Sequence, residues 1–340
     1  MRLVYTLALF LLAAAASAAP ADSLDRELRE MEAEWSAPAA GKADAGAWLD
    51  RLVALEPRAC ERPAFWFLWG SVGLEAGNAR DAALGFSVAR RMGHRPRVTR
   101  LLLARALLDW SEEIPRGAGD RPDLGLVILQ RCRALTREGI ADESLPARER
   151  SELEALDLRC LAALGAVLHW SMSFVGAEET FRELIRRQPE VARHRIRLGR
   201  TLLALKKPEE ALDVVREARR LCPDPSWLEP EALLGTIHST LGHEEVAERH
   251  YANYLAGRPD NVVVLKRLGE HYLRFDRFGP AVETYRRLVE LVPKDAGVVF
   301  SLATALRRLG RTEEAEKYMA IHRELADEMQ ERRGVRDGGD

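Results

Sequence analysis

Leucine and small residues recur along the second half of the chain at a nearly constant spacing. A leucine is followed at once by a small residue, and an alanine stands twelve positions beyond the small residue. Successive small residues are 34, 36, 34 and 34 positions apart. A sustained period of this length is typical of a repeat protein. The leucines are Leu164, Leu198, Leu234, Leu268 and Leu302; the small residues are Gly165, Gly199, Gly235, Gly269 and Ala303; the alanines are Ala177, Ala211, Ala247, Ala281 and Ala315.

The segment 262–295 shows the unit most completely. Counted from its first residue, it has small residues at positions 8 and 20 (Gly269 and Ala281), an aromatic at position 24 (Tyr285) and a proline at position 32 (Pro293). This pattern resembles the tetratricopeptide repeat, a pair of antiparallel helices A and B. The resemblance implies an all-α, right-handed superhelical solenoid of about eight repeats. It also implies a protein that binds other polypeptides, often in a concave groove lined by helix A.

The small residues have a physical explanation in such a fold. Two antiparallel helices approach closely only where small side chains meet, so Gly269 and Ala281 are expected to face each other. Gly242 and Gly310 are expected in the turns between helices. Pro293 lacks an N–H and disfavours helix before it, so it ends helix B.

The same spacing divides most of the chain into repeats. Gly70 and Ala82 mark an early repeat, which a more degenerate one precedes. The predicted organisation is a signal peptide at 1–19; N-terminal repeats over 20–139 (26–59, 63–96 and 97–139); a linker or helix extension at 140–157; C-terminal repeats over 158–329 (158–191, 192–225, 228–261, 262–295 and 296–329); and a disordered tail at 330–340.

Two irregularities interrupt the pattern. The repeat at 97–139 carries an insertion within 110–124, where glycines and prolines predict a long loop. In the linker, Ser151 and Glu154 are spaced as a capping box, which predicts that helix A of the next repeat begins after them.

The first residues follow a different pattern. Arg2 precedes an apolar stretch, and Ala16, Ser17 and Ala18 form a small-residue cleavage site. This combination predicts a secretory signal peptide cleaved near Ala18, and therefore a periplasmic or secreted protein. An uncleaved N-terminal anchor is the alternative. No later stretch is apolar over 18 residues, so the mature chain is expected to lack a membrane span.

Composition and motifs argue against several function classes. The 51 basic and 53 acidic residues give a net charge of −2, which is not the charge pattern of a nucleic-acid binder. Phosphate-binding loops and hydrolase motifs are missing, so no enzyme activity and no cofactor are expected. His243 and His250 are seven residues apart, unlike the histidines of a zinc-protease helix, and no metal site is expected. The tryptophans, such as Trp66 and Trp69, are interpreted as packing residues.

Helix A positions 2, 5, 9 and 12 share one helical face, so in this fold they are expected to line the groove. We hypothesise that an apolar segment of a partner protein or peptide lies against the apolar members of this face while its acidic groups meet the basic ones. The alternative is that the chain's own N-terminal repeat or long loop covers the apolar members. The candidate residues are Phe67, Leu74, Leu101, Arg105, Leu108, Arg159, His169, Arg193 and Arg200.

Cys132 and Cys160 fall on neighbouring predicted helices. A disulfide between them is one interpretation in an oxidising compartment, and two free buried thiols are the other. The sequence as a whole predicts a non-enzymatic scaffold or adaptor of the cell envelope. Two alternatives stay open: a periplasmic chaperone for unfolded clients, and an accessory subunit that tethers an envelope enzyme.

Overall fold

The computed structural model describes residues 21–36, 45–113 and 122–337, and helices are the only regular secondary structure within these ranges. In chain order they are α1 (Ala21–Ser36), α2 (Ala45–Ala59), α3 (Pro63–Glu75), α4 (Ala79–Arg91), α5 (Pro96–Glu113), α6 (Pro122–Ile140), α7 (Ala147–Trp170), α8 (Phe174–Arg187), α9 (Ala192–Ala204), α10 (Pro208–Leu221), α11 (Glu229–Thr240), α12 (Glu244–Gly257), α13 (Val262–Arg274), α14 (Phe278–Leu291), α15 (Ala296–Arg308) and α16 (Thr312–Asp337).

The chain forms two compact units, Met1–Thr180 and Phe181–Asp340. Within each unit, most helices pack against their neighbours in sequence. A helices also pack against the A helix of the next repeat, as α3 does on α5 and α9 on α11. Both units are therefore all-α stacks of helix pairs, as the repeat resemblance implied.

The close contact inside a pair joins positions 8 and 24 of the repeat. A Cβ added at Gly269 would lie 2.7 Å from the Tyr285 ring, and one at Gly235 would lie 2.7 Å from the Tyr251 ring. Gly70 meets Phe86 and Gly199 meets Val215 in the same way. The sequence predicted that the small residues at positions 8 and 20 face each other. Instead, the glycine at position 8 mainly makes room for the bulky side chain at position 24.

In most turns from helix A to helix B, a residue with a left-handed backbone (positive φ) follows the end of helix A. The N–H after that residue then bonds to a carbonyl five residues back, as Ser173 N does to Leu168 O at 2.8 Å. This geometry favours glycine, as predicted for two of the turns. The left-handed residues are Gly77, Met172, Lys206, Gly242, Asp276 and Gly310.

The structure differs from the sequence predictions at two helix ends. α7 begins at Ala147, after Pro146, so Ser151 and Glu154 lie inside the helix and the capping-box prediction is wrong. The first turn needs no such box because proline already fixes an extended entry to the helix. α16 continues to Asp337, into the segment for which the sequence predicted a disordered tail. The predicted signal peptide and much of the predicted long loop lie outside the described residues.

Candidate partner-binding surfaces

The apolar half of the predicted groove is largely buried in the first unit. Phe67 is 7% exposed and Leu108 is 0% exposed. The Phe67 ring packs on Phe86 and on His94, with centroids 5.8 and 5.2 Å apart. The hypothesis that Phe67 and Leu108 present a surface to a partner is therefore wrong, because their own unit already removes them from water. Leu74 and Leu101 are half-buried against the same core.

The N-terminal helix contributes to that core. Leu28, Met31 and other apolar residues of α1 join the hydrophobic cluster that contains Phe67. Glu32 of α1 forms an ion pair with Arg95 at 3.0 Å, and the Arg95 guanidinium lies 5.4 Å from the centroid of the Phe67 ring. These contacts favour the alternative interpretation, in which the chain's own N-terminal repeat covers the apolar positions.

The arginines of the predicted groove are exposed, but three of them have acidic neighbours within the chain. Arg159 lies 3.4 Å from Glu112 and 3.9 Å from Asp109, and Arg105 also lies 3.9 Å from Asp109. In the second unit, Arg200 pairs with Glu229 of the next A helix at 2.7 Å. An acidic partner group would have to compete with these carboxylates. The pairs are solvated, so each contributes little to stability.

The other two predicted positions lie apart from the buried core. His169 is half-buried, and its ring makes an edge contact with Phe174 at 5.4 Å between centroids. Arg193 is exposed on α9 of the second unit. On A helices of that unit, Val263 and Phe300 also present apolar surface to solvent.

Three strongly exposed apolar side chains lie at the turn between α7 and α8. Trp170 is 71% exposed, Met172 is 76% exposed and Val175 is 64% exposed. We call these three residues the apolar turn. Met172 also has a left-handed backbone with φ of 59°. At the equivalent position, the other left-handed turns within the described ranges have glycine, lysine or aspartate.

The sequence reasoning missed this surface because it interpreted the tryptophans as packing residues. That interpretation suits Trp66, which is buried, and Trp69, which is partly buried and packs on the core, but it does not suit Trp170. The available signal was the position of Met172, where the repeat places glycine or a polar residue in a turn. A large apolar side chain there cannot be explained by the helix pair.

The histidines that the sequence compared with a zinc protease come together with a third. His243 immediately precedes α12, and its Nδ1 lies 3.1 Å from Nδ1 of His238 on α11. The His250 ring stacks on the His238 ring with centroids 5.4 Å apart. Within the described ranges, no group of three or more histidine, cysteine or acidic side chains has the geometry of a metal site.

Cys132 of α6 and Cys160 of α7 are free thiols that are completely shielded from solvent. The Cys132 thiol donates to Ala104 O at 3.2 Å, and the Cys160 thiol donates to Leu129 O at 3.5 Å. A hydrogen bond with Cys132 raises the pKa of the Cys160 thiol, and burial adds to this effect. The two thiols are therefore neighbours, and their disulfide stays a prediction.

None of the helices in the described ranges has both the length and the apolar character needed to cross a lipid bilayer.

Comparison with known proteins identifies the repeat. Residues 174–224 and 266–328 match a family model described as tetratricopeptide repeat, about one third of the chain. A solved TPR protein of Thermus thermophilus is 22% identical, covers 60% of this chain and 98% of its own, and has a TM-score of 0.46. MamA from Desulfovibrio magneticus is 16% identical, covers 50% of this chain and 96% of its own, and has a TM-score of 0.45. No protein of curated function matches the chain.

Proposed function

We propose that this tetratricopeptide-repeat protein is a non-enzymatic adaptor of the cell envelope that holds an apolar segment of a partner polypeptide. The repeats support a role as a protein-interaction scaffold. The apolar turn, formed by Trp170, Met172 and Val175, is the observation that carries the proposal. It replaces Phe67 and Leu108 as the contact surface for the partner's apolar segment.

The exposed side chains of the apolar turn are energetically unfavourable in water unless a binding partner covers them. Covering the exposed part of a tryptophan removes roughly 140 Å² from water, which stabilises a complex by about 3 kcal/mol. Tryptophan and methionine are also enriched in the buried centres of protein interfaces. An apolar stretch of a partner, such as one face of an amphipathic helix, fits this chemistry.

The backbone conformation of Met172 is also unfavourable for a residue with a side chain. A left-handed conformation costs a non-glycine residue about 1–2 kcal/mol, and glycine at this position would avoid that cost. The chain therefore keeps a strained residue that is both apolar and exposed. Strain and exposed apolar surface at one residue point to a binding role rather than to stability.

The envelope location rests on the N-terminal sequence. The order of Arg2, an apolar stretch and Ala16-Ser17-Ala18 is that of a secretory signal peptide. The test is to express the full chain in a bacterial host, separate the periplasm from the cytoplasm, and determine the N-terminus of the product. A cytoplasmic product that starts at Met1 would remove the envelope part of the proposal.

The binding role is tested by changing the apolar turn. The doubly substituted variant Trp170→Ser with Met172→Ser should keep its helical circular dichroism but bind the partner captured from an envelope extract at least about tenfold more weakly, since about 3 kcal/mol of burial is lost. Val263→Ser is the matched control because Val263 is an exposed apolar residue on a different unit. Equal capture by the double variant and the wild type would rule out the apolar turn as the contact.

Met172→Gly separates binding from stability. Glycine relieves the left-handed strain, so the free energy of unfolding should rise by up to about 1 kcal/mol. The same variant should bind the partner more weakly because an apolar contact is gone. A residue with only a structural role would not give opposite changes in these two measurements.

The chaperone alternative predicts a different outcome. A chaperone should suppress the aggregation of several unrelated unfolded clients, whereas an adaptor should retain one stoichiometric partner. A captured partner with its own catalytic activity would identify the accessory-subunit alternative.

A further inference from the structure

A second surface, independent of the proposed function, lies at the turn between α11 and α12. Three imidazoles from a single helix pair gather there. His238 is buried on α11, His243 is exposed at the start of α12, and His250 is half-buried one to two turns further along α12. The cluster therefore has one member accessible from solvent and one fixed inside the protein.

The separation of two ring nitrogens has the size that metal ligands require. Nδ1 of His238 and Nδ1 of His243 are 3.1 Å apart. Two imidazole nitrogens at about 2.1 Å from one ion lie about 3.0 Å apart when their bonds are perpendicular and about 3.4 Å apart when they are tetrahedral. The observed distance falls between these values.

The hydrogen bond between these nitrogens uses one proton. One Nδ1 carries the proton and donates, and the other accepts with its lone pair. An entering cation takes the place of this proton, and the donor ring changes tautomer, so that its proton moves from Nδ1 to Nε2 by exchange with solvent. Both neutral rings then supply an Nδ1 lone pair and carry an Nε2–H, and binding by the neutral pair releases no net proton.

The remaining groups hold the His238 ring in place. His250 stacks on it with an interplanar angle of 6°, and the Nδ1 of His250 donates to the buried Glu231 carboxylate at 2.8 Å. Glu231 also lies 3.6 Å from Arg219 and accepts from Asn253 at 3.4 Å. A ring fixed by a hydrogen-bonded neighbour loses little freedom when it binds an ion.

The charges around the pair limit its affinity for a cation. Arg216 and Arg249 act on His238 and oppose a nearby positive charge.

We infer that His238 and His243 bind a divalent transition-metal ion, of the class of Zn²⁺ or Ni²⁺, through their Nδ1 atoms. Water completes the coordination because, among the described residues, no three protein donors converge there. Imidazole selects this class of ion over Mg²⁺ and Ca²⁺, which prefer oxygen ligands.

The inference is tested by calorimetric titration of the untagged mature protein with ZnCl2 and NiCl2 at pH 7.5. We expect one site per chain, no response to MgCl2, and affinity at least about tenfold weaker in His243→Ala. His243 is exposed, so this variant should fold, and its circular dichroism checks that. His322→Ala is the matched control, since His322 bonds to Ala296 O and lies outside the cluster.

A second readout locates the ligands. With Co²⁺ as the probe, visible ligand-field absorption shifted from that of the aqueous ion and stronger than it should appear in the wild type and in His322→Ala but not in His243→Ala. Equal Zn²⁺ affinity and equal Co²⁺ spectra in His243→Ala and the wild type would overturn the inference. So would the absence of any saturable binding by the wild type.

Discussion

Gly269 lies directly beneath the Tyr285 ring. A Cβ at position 269 would come within 2.7 Å of Cζ of Tyr285, which is closer than van der Waals contact permits. Tyr285 is almost completely buried, and burial raises its pKa to about 12. Gly269 therefore leaves room for an aromatic ring between helices α13 and α14, and the equivalent glycines leave room for Phe86, Val215 and Tyr251.

Gly269→Ala tests this packing relationship. The added methyl group must displace a buried ring, so the free energy of unfolding should fall by about 1–3 kcal/mol, although alanine is the better helix former. The measurement is urea unfolding followed by circular dichroism.

Gly279→Ala is its control in the same repeat. No atom lies within 4 Å of a Cβ at Gly279, so stability should stay the same or rise by up to about 1 kcal/mol. Similar losses in both variants would mean that helix-wide effects, rather than the Tyr285 ring, determine the result.

The repeat fold could be predicted from sequence because the same few residues recur at a fixed spacing. Gly235 and Gly269 each mark a close helix contact, and this information is local to one repeat. What the sequence did not reveal was the partner of each glycine. The bulky side chain at position 24 fills the space that the missing Cβ of the glycine leaves, and it fills this space better than a second small residue would.

The candidate surface was harder to predict because exposure depends on neighbouring repeats. The helical face of Phe67 was identified, but the packing of α1 against the same core could not be deduced from spacing. Leu108 occupies a nominal groove position and is nevertheless fully buried. Trp170, in contrast, lies at the C-terminal end of α7 with most of its side chain exposed.

A buried carboxylate between α6 and α7 gives a second prediction. Asp157 is 1% exposed, accepts from the Thr136 hydroxyl at 2.8 Å and lies 3.9 Å from Nε of Arg133. Asp157→Ala should lower the free energy of unfolding by about 3–5 kcal/mol, because it leaves a largely buried arginine with less compensation.

The control for Asp157 is an exposed ion pair that joins Arg159 of the same helix to Glu112 of α5. Glu112→Ala removes a partner of Arg159, and the loss should stay under about 1 kcal/mol because both groups are solvated. Thermal unfolding of the two variants side by side gives the comparison. A small effect of Asp157→Ala would show that water replaces the carboxylate.

Buried histidines make stability depend on pH. Burial lowers the pKa of His194 and of His271 below the usual 6.5. Their unfolded forms therefore bind protons more readily than their folded forms, so stability is complete above pH 6.5 and falls as the pH drops below it. Urea unfolding with a chelator at pH 7.5, 6.5 and 5.5 should show this decline.

His271→Gln identifies the contribution of one group. The glutamine does not titrate, so the variant should lose less stability than the wild type between pH 7.5 and 5.5, even if it is less stable at pH 7.5. If the free energy of unfolding changes equally with pH in the two proteins, His271 has the same pKa in the folded and unfolded chains.

The Cys132 and Cys160 thiols give the last prediction, which concerns the oxidised chain. Refolding with oxidised glutathione should join them by thiol–disulfide exchange, with two glutathione thiols released, because the two thiols are neighbours in the core between α6 and α7. The protein mass should then fall by about 2 Da, the two hydrogens lost when one disulfide forms. The closed loop should raise the free energy of unfolding by about 3–4 kcal/mol in the chain-entropy model.

Cys160→Ser should abolish both changes, and Cys222→Ser, which alters a cysteine of the second unit, should abolish neither. If the wild type keeps its full mass under these conditions while Cys132 and Cys160 stay unreactive to a thiol reagent, the buried thiols serve only as small apolar side chains.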